Sequence, residues 1–126
     1  AASTSFQISR PSMWRDDAYL LDILLAGRKV FEYTRGLSHD EFKRNELVQD
    51  AAIRLISVIG EAASKVSFDF RAAHPDIPWS GMIGMRHRLV HDYFRVDVEK
   101  VWDTIQHDIP RLIALIEPLV PPPKAK

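Results

Sequence analysis

The 126-residue chain balances 17 lysines and arginines against 17 aspartates and glutamates, so it has no overall basic field to draw nucleic acid, and any such binding must use a local patch. It contains no cysteine, which excludes disulfides, thiolate catalysis and cysteine-held zinc or iron–sulfur centres and fits a cytoplasmic location. At 46% hydrophobic and 27% charged residues it reads as one globular domain able to bury a core unaided, and no apolar run nears the ~18 residues that a membrane span needs.

Residues 1–12 are expected to be a flexible lead-in, and Ala1-Ala2-Ser3-Thr4-Ser5 lacks the basic start and apolar core of a signal peptide. From about Ser12 to Arg35, Trp14, Ala18, Leu21, Leu24, Leu25 and Phe31 recur at three- and four-residue steps, predicting a long first helix that Gly36 closes. Ser38-x-x-Glu41 is a capping box for another start, with Leu37 and Phe42 as its staple. After Asn45, itself a candidate cap, Val48, Ala51, Ala52, Leu55, Ile59, Ala62 and Val66 predict a second long helix. Gly60 in its interior costs roughly 1 kcal/mol against alanine, so it is expected to admit another helix at close range.

Pro75 and Pro78 make Phe68 to Ile77 a connector, because each lacks a backbone donor and disfavours helix just before it. A third helix is expected from near Pro78 to somewhere between His91 and Phe94. Asp97 then caps a last helix whose stripe runs through Val98, Val101, Trp102, Ile105, Ile109, Leu112, Ile113 and Ile116, and which Pro110 should kink without stopping. Pro121-Pro122-Pro123 and two lysines give residues 120–126 the composition of a flexible tail. No strand-like alternation and no repeat of 20 to 50 residues appears. The expected architecture is an all-α antiparallel bundle of four to five helices over residues 13–119.

The chemistry is concentrated in the third helix, where Met85-Arg86-His87-Arg88-Leu89-Val90-His91-Asp92-Tyr93 packs two imidazoles, two guanidiniums, a carboxylate and a phenol into nine positions. At 100° per residue, Met82, Arg86, Leu89, Val90 and Tyr93 share one broad face. Arg86 therefore needs a carboxylate, with Glu61 one candidate, or a cleft, or a subunit interface. On that face Tyr93 reads as a core residue with a satisfied hydroxyl. His91 lies about 140° around the helix from Arg86, so one small pocket in one chain does not readily hold both. A distorted helix end or a two-fold partner would unite them. His91 alone reads as a helix-end or hydrogen-bonding histidine. His87 and His91, four apart, have a metal-gripping spacing, but no third ligand is evident and a solvated polar face explains the pair, so no metal is expected.

Arg86-x4-His91-x-Tyr93, entered through Trp79-Ser80-Gly81-Met82-Ile83-Gly84-Met85 and followed by Val96-Asp97-x3-Val101-Trp102, resembles the HepT-like branch of the HEPN superfamily. Arg15-Asp16-Asp17, Ile59-Gly60-Glu61-Ala62 and Asp108-Ile109-Pro110 are similar to that family in the same order, and the likeness covers roughly Met13 to Leu119. The resemblance implies a HEPN-like bundle that dimerises through the motif helix, and a metal-independent endoribonuclease, without cofactor, that serves as the toxin of a toxin–antitoxin pair. It implies Arg86 and His91 as catalytic residues at a composite dimer cleft, with RNA cleaved by attack of its 2′-hydroxyl. Tyr93 would be the tyrosine silenced by AMP groups from a MntA-type nucleotidyltransferase antitoxin. His87, Arg88 and Arg95 are the residues placed to support the site or hold RNA phosphates. One position departs from the pattern: asparagine usually follows the motif arginine, and His87 stands there, able to donate a hydrogen bond but also to titrate near pH 6.5. The alternative reading is a non-catalytic helical module that binds a nucleotide or complements a nucleotidyltransferase, with Arg86 paired to Glu61.

Overall fold

A computed structural model describes the backbone of residues 2–122 and the side chains of residues 15–122. The side chain of Trp14, part of the first helical pattern, and residues 123–126 of the tail lie outside the described residues. Among the described residues every regular element is helical, and no helix is long and apolar enough to cross a membrane.

Helix α1 spans Ala2–Thr34. Leu20, Ile23, Leu24 and Val30 form its buried line, while Leu21 and Leu25, which the periodicity grouped with them, sit one residue further round and are exposed. Gly36 adopts a φ of 79°, the left-handed stop that costs other residues a Cβ clash. Helix α2 (His39–Arg44) starts on Ser38 with both halves of the capping box formed: the Ser38 hydroxyl accepts from the Glu41 N–H at 3.1 Å, and the Glu41 carboxylate accepts from the Ser38 N–H at 2.9 Å. Phe42 is wholly buried. Helix α3 (Glu46–Lys65) starts on Asn45, whose Oδ1 accepts from the Val48 N–H.

Helix α3 is the centre of the bundle, packed against α1 and against α5 (Trp79–His91). Its buried line of Ala52, Ile56, Ile59 and Ala63 sets two large side chains between two small ones. Each large aliphatic side chain buried this way contributes roughly 1.5–3 kcal/mol.

The connector departs from expectation. Phe68–Ala73 forms a short helix, α4, capped by Ser67, whose hydroxyl accepts from the Phe70 N–H. Ser67 is held in turn by Asp16 of α1: the buried Asp16 carboxylate accepts from the Ser67 N–H at 2.7 Å and from its hydroxyl at 2.6 Å. Six residues would not hold a helix alone; a carboxylate fifty-one positions away makes this one possible. The prolines act as anticipated, since α4 stops before Pro75 and α5 starts just after Pro78.

After α5 comes a 3₁₀ turn, Tyr93–Arg95, and then α6 (Val98–Asp103), where the Asp97 carboxylate accepts from the Glu99 N–H. A π turn over Thr104–Asp108 joins α6 to α7 (Ile109–Ile116). The Ile109 N–H donates five residues back to the Thr104 carbonyl. The widened turn is how the helix accommodates Pro110, which has no N–H and whose ring would crowd the carbonyl four residues before it.

Candidate active site

Arg86 is seated in the α3–α5 seam. A Cβ added to Gly60 would lie 2.3 Å from the Arg86 Cβ and 2.6 Å from the Met82 carbonyl oxygen, so the glycine is what lets α5 close onto α3. The next residue, Glu61, meets the Arg86 guanidinium with an Nη2 to Oε2 distance of 2.7 Å and also lies 3.4 Å from the Lys65 ammonium. The Arg86 and Glu61 side chains stay 38% and 40% exposed. The pair thus combines two of the alternatives open in the sequence, a carboxylate partner and a cleft. That cleft, about 330 Å³, lies between α1, α3 and α5 and is walled by Tyr19, Asp22, Arg54, Glu61, Lys65 and Arg86. Three cations against two carboxylates give it a slight positive excess on an otherwise neutral molecule.

The rest of the expected buried face ends early. Met82 and Leu89 are buried, but Val90 is 51% exposed on the rim of the cleft and Tyr93 is 42% exposed. The periodic argument that placed Tyr93 in the core fails because the α-helix stops at His91 and Tyr93 belongs to the following 3₁₀ turn. Its hydroxyl donates to Asp50 Oδ1 of α3 at 2.8 Å. That hydrogen bond raises the phenol above its ordinary value, with desolvation and the charges of Asp50 and Glu46 acting in the same direction.

His91 ends α5 on the exposed side, its ring 4.3 Å from that of His87 between centroids. Among the described residues no group of three or more potential ligands gathers around a metal position. His91 does not line the cleft that holds Arg86. Arg88 and Arg95 go elsewhere again, into a smaller hollow of about 240 Å³ that Lys100 also lines, together with Asp92 and Asp97. Within one chain, then, the motif is dispersed over three sides of α5: Arg86 toward α1 and α3, the two histidines outward, Arg88 and Arg95 toward α6.

Asp50 was not singled out in the sequence, although a signal exists. Asp50 and Glu61 are eleven residues apart, three helical turns, and so lie along one line of α3. Tyr93 and Arg86, seven apart in reverse order, meet them across the antiparallel seam.

A family model described as Ribonuclease HepT-like matches residues 23–119. A protein of Thermococcus cleftensis named Probable ribonuclease HepT is 42% identical over 80% of this chain and 92% of its own length. Two proteins of Methanocaldococcus jannaschii with RNase in their names are 36% and 37% identical, over 79% and 82% of this chain and 92% and 89% of theirs. No solved structure gives a significant match.

Proposed function

The chain belongs to the ribonuclease HepT-like family, and from that premise we propose that it is a metal-independent endoribonuclease of the cytoplasm whose catalytic residues are Arg86 and His91. The observation that carries this reading is the half-exposed Arg86 guanidinium, tethered by a carboxylate yet facing a cleft. In the proposed reaction the 2′-hydroxyl of RNA attacks the adjacent phosphate, His91 moves the proton, and Arg86 neutralises the charge that builds on phosphorus. The products are a 2′,3′-cyclic phosphate and a 5′-hydroxyl end.

Since Arg86 and His91 leave α5 in different directions, the reading includes a homodimer in which His91 of one copy completes the site of the other. The exposed apolar groups Val58 and Val90 on the cleft, and Phe94 at 96% exposure, suit a face that a second copy covers. His87, Arg88 and Arg95 would hold flanking phosphates. We also propose that the protein is the toxin of a pair whose antitoxin is a MntA-type nucleotidyltransferase, and that AMP placed on Tyr93 silences it by bringing negative charge and bulk to an RNA-binding surface.

The test is RNA cleavage in the presence of chelator. His91→Ala and Arg86→Ala should each lose at least about a hundredfold, the scale of a missing acid–base or electrostatic group, and should no longer arrest growth on expression. Undiminished cleavage by His91→Ala removes it from the chemistry. The binding-module reading is favoured by one observation, that Arg86 already has a partner in Glu61. It requires both variants to be as harmless as the parent chain.

A further inference from the structure

We propose that Asp50 positions Tyr93 and takes its proton when the hydroxyl receives a nucleotidyl group, an inference that rests on the reading of Tyr93 as the AMP acceptor. Two demands must be met by a tyrosine that acts as a nucleophile: its oxygen must be reachable by a bulky donor, and its proton must have somewhere to go. Tyr93 meets the first because the 3₁₀ turn Tyr93–Arg95 lifts the ring off the helix and leaves it 42% exposed, edge-on to Phe94 with centroids 5.1 Å apart. Asp50 meets the second, with a carboxylate oxygen 2.8 Å from the hydroxyl.

Asp50 is supported by a packed helix. It stands in the second turn of α3, the helix packed against both α1 and α5, so the proton acceptor sits on a different element from the turn that carries Tyr93. The carboxylate also defines how the step must proceed. A phenol with an ordinary value of about 10 is already un-ionised at neutral pH, and the hydrogen bond to Asp50 shifts it further in that direction. Proton loss therefore has to accompany bond formation. The Tyr93 oxygen bonds to the α-phosphorus of a nucleoside triphosphate held by the partner nucleotidyltransferase. The bond from that phosphorus to the bridging oxygen breaks, pyrophosphate leaves, and the hydroxyl proton passes to Asp50 and then to solvent.

Because Asp50 shares its line of α3 with Glu61, the modified oxygen and the Arg86 guanidinium are referred to one helix. The carboxylates that hold them lie about 16 Å apart along its axis at 1.5 Å per residue. Asp50 thus serves the regulation of the site and is remote from the groups proposed to cleave RNA.

The experiment uses the full chain, Mg·ATP and a nucleotidyltransferase that labels it, with AMP addition followed by intact mass. Asp50→Asn keeps the size of the side chain and an oxygen able to accept the hydrogen bond, but cannot take a proton. It should slow labelling at pH 7 at least about tenfold with unchanged KM for ATP, and its residual rate should climb with pH as the phenol ionises, whereas the parent rate stays flat there. Asp50→Glu should recover part of the rate and the flat profile, which a purely structural role would not do. Tyr93→Phe should take no label. Equal labelling of Asp50→Asn and parent overturns the role of Asp50 while leaving Tyr93 as acceptor; label persisting in Tyr93→Phe, or none on the parent, overturns the acceptor reading and this proposal with it.

Discussion

Arg86 reaches Glu61 across the α3–α5 seam at 2.7 Å, and both side chains remain open to solvent. The tether therefore fixes where the guanidinium points more than it stabilises the fold, since half-exposed ion pairs contribute about 1 kcal/mol or less. Glu61→Gln should leave the urea midpoint nearly unchanged and reduce RNA cleavage by about tenfold, equivalent to ~1.4 kcal/mol of transition-state stabilisation. A large loss of stability with intact activity would reverse this assignment.

Gly60 is the opposite case, a residue whose effect is on packing. Alanine is the better helix former by about 1 kcal/mol, but its methyl would overlap the Arg86 Cβ and the Met82 carbonyl, both part of α5 itself. Gly60→Ala should destabilise by about 1–3 kcal/mol net, the usual cost of overpacking, and displace Arg86 with α5. Chemical denaturation checks the first effect and cleavage assays the second.

Asp16 and Ser67 form a buried polar link between α1 and the start of α4. Asp16→Ala leaves the Ser67 groups unpaired and should cost about 1–3 kcal/mol. A double-mutant cycle with Ser67→Ala should show coupling of about 0.5–3 kcal/mol; additivity would mean that the two residues act separately.

Tyr93 ties stability to alkaline pH. Its folded-state ionisation lies above the ordinary phenol value of about 10 because of the Asp50 hydrogen bond, so the folded protein holds this proton more tightly than the unfolded chain. The contribution is complete below that ordinary value and is lost as pH rises through the raised one. In Asp50→Asn the Tyr93 absorbance titration should move down toward the ordinary value, and this part of the alkaline loss should diminish.

Glu99 gives the complementary acid dependence. The hydrogen bond from His39 holds its carboxyl below the ordinary range, against some desolvation, and Lys43 adds to the lowering. Since the folded value is depressed, the contribution is present above the unfolded value near 4.5 and is lost as pH falls through the folded one. His39 also stacks on Trp102, with ring centroids 5.5 Å apart. Fluorescence of a chain keeping Trp102 alone should change in that acid range, and Glu99→Gln should abolish the change.

Local rules carried much of the fold. The caps at Ser38, Asn45 and Asp97, the stop at Gly36 and the close approach at Gly60 each depend on a few neighbouring residues, so they could be read before the chain was folded. Arg86 and Glu61 were legible as a candidate pair because an embedded guanidinium demands a carboxylate. Helix α4 was hidden because its support comes from Asp16, far away in sequence. Tyr93 was misjudged because helical periodicity was carried past the point where the helix ends, and the same error hid Asp50. The dispersal of Arg86, the histidines and Arg88 around α5 follows from 100° per residue; what stands opposite each of them does not.

The π turn before Pro110 has a consequence for the phase of the last helix. Val101, Ile105 and Ile109 are buried at successive steps of four, a spacing that in a uniform α-helix would drift by about 40° per step. The turn over Thr104–Asp108 holds an extra residue per revolution, so it absorbs that drift and returns Ile109 to the line of Ile105. Leu112 and Ile116 then continue the line through α7. Deleting one residue from this turn would rotate everything after it by roughly a quarter of a revolution, turning Leu112 and Ile116 out of the core while leaving the composition of α7 untouched.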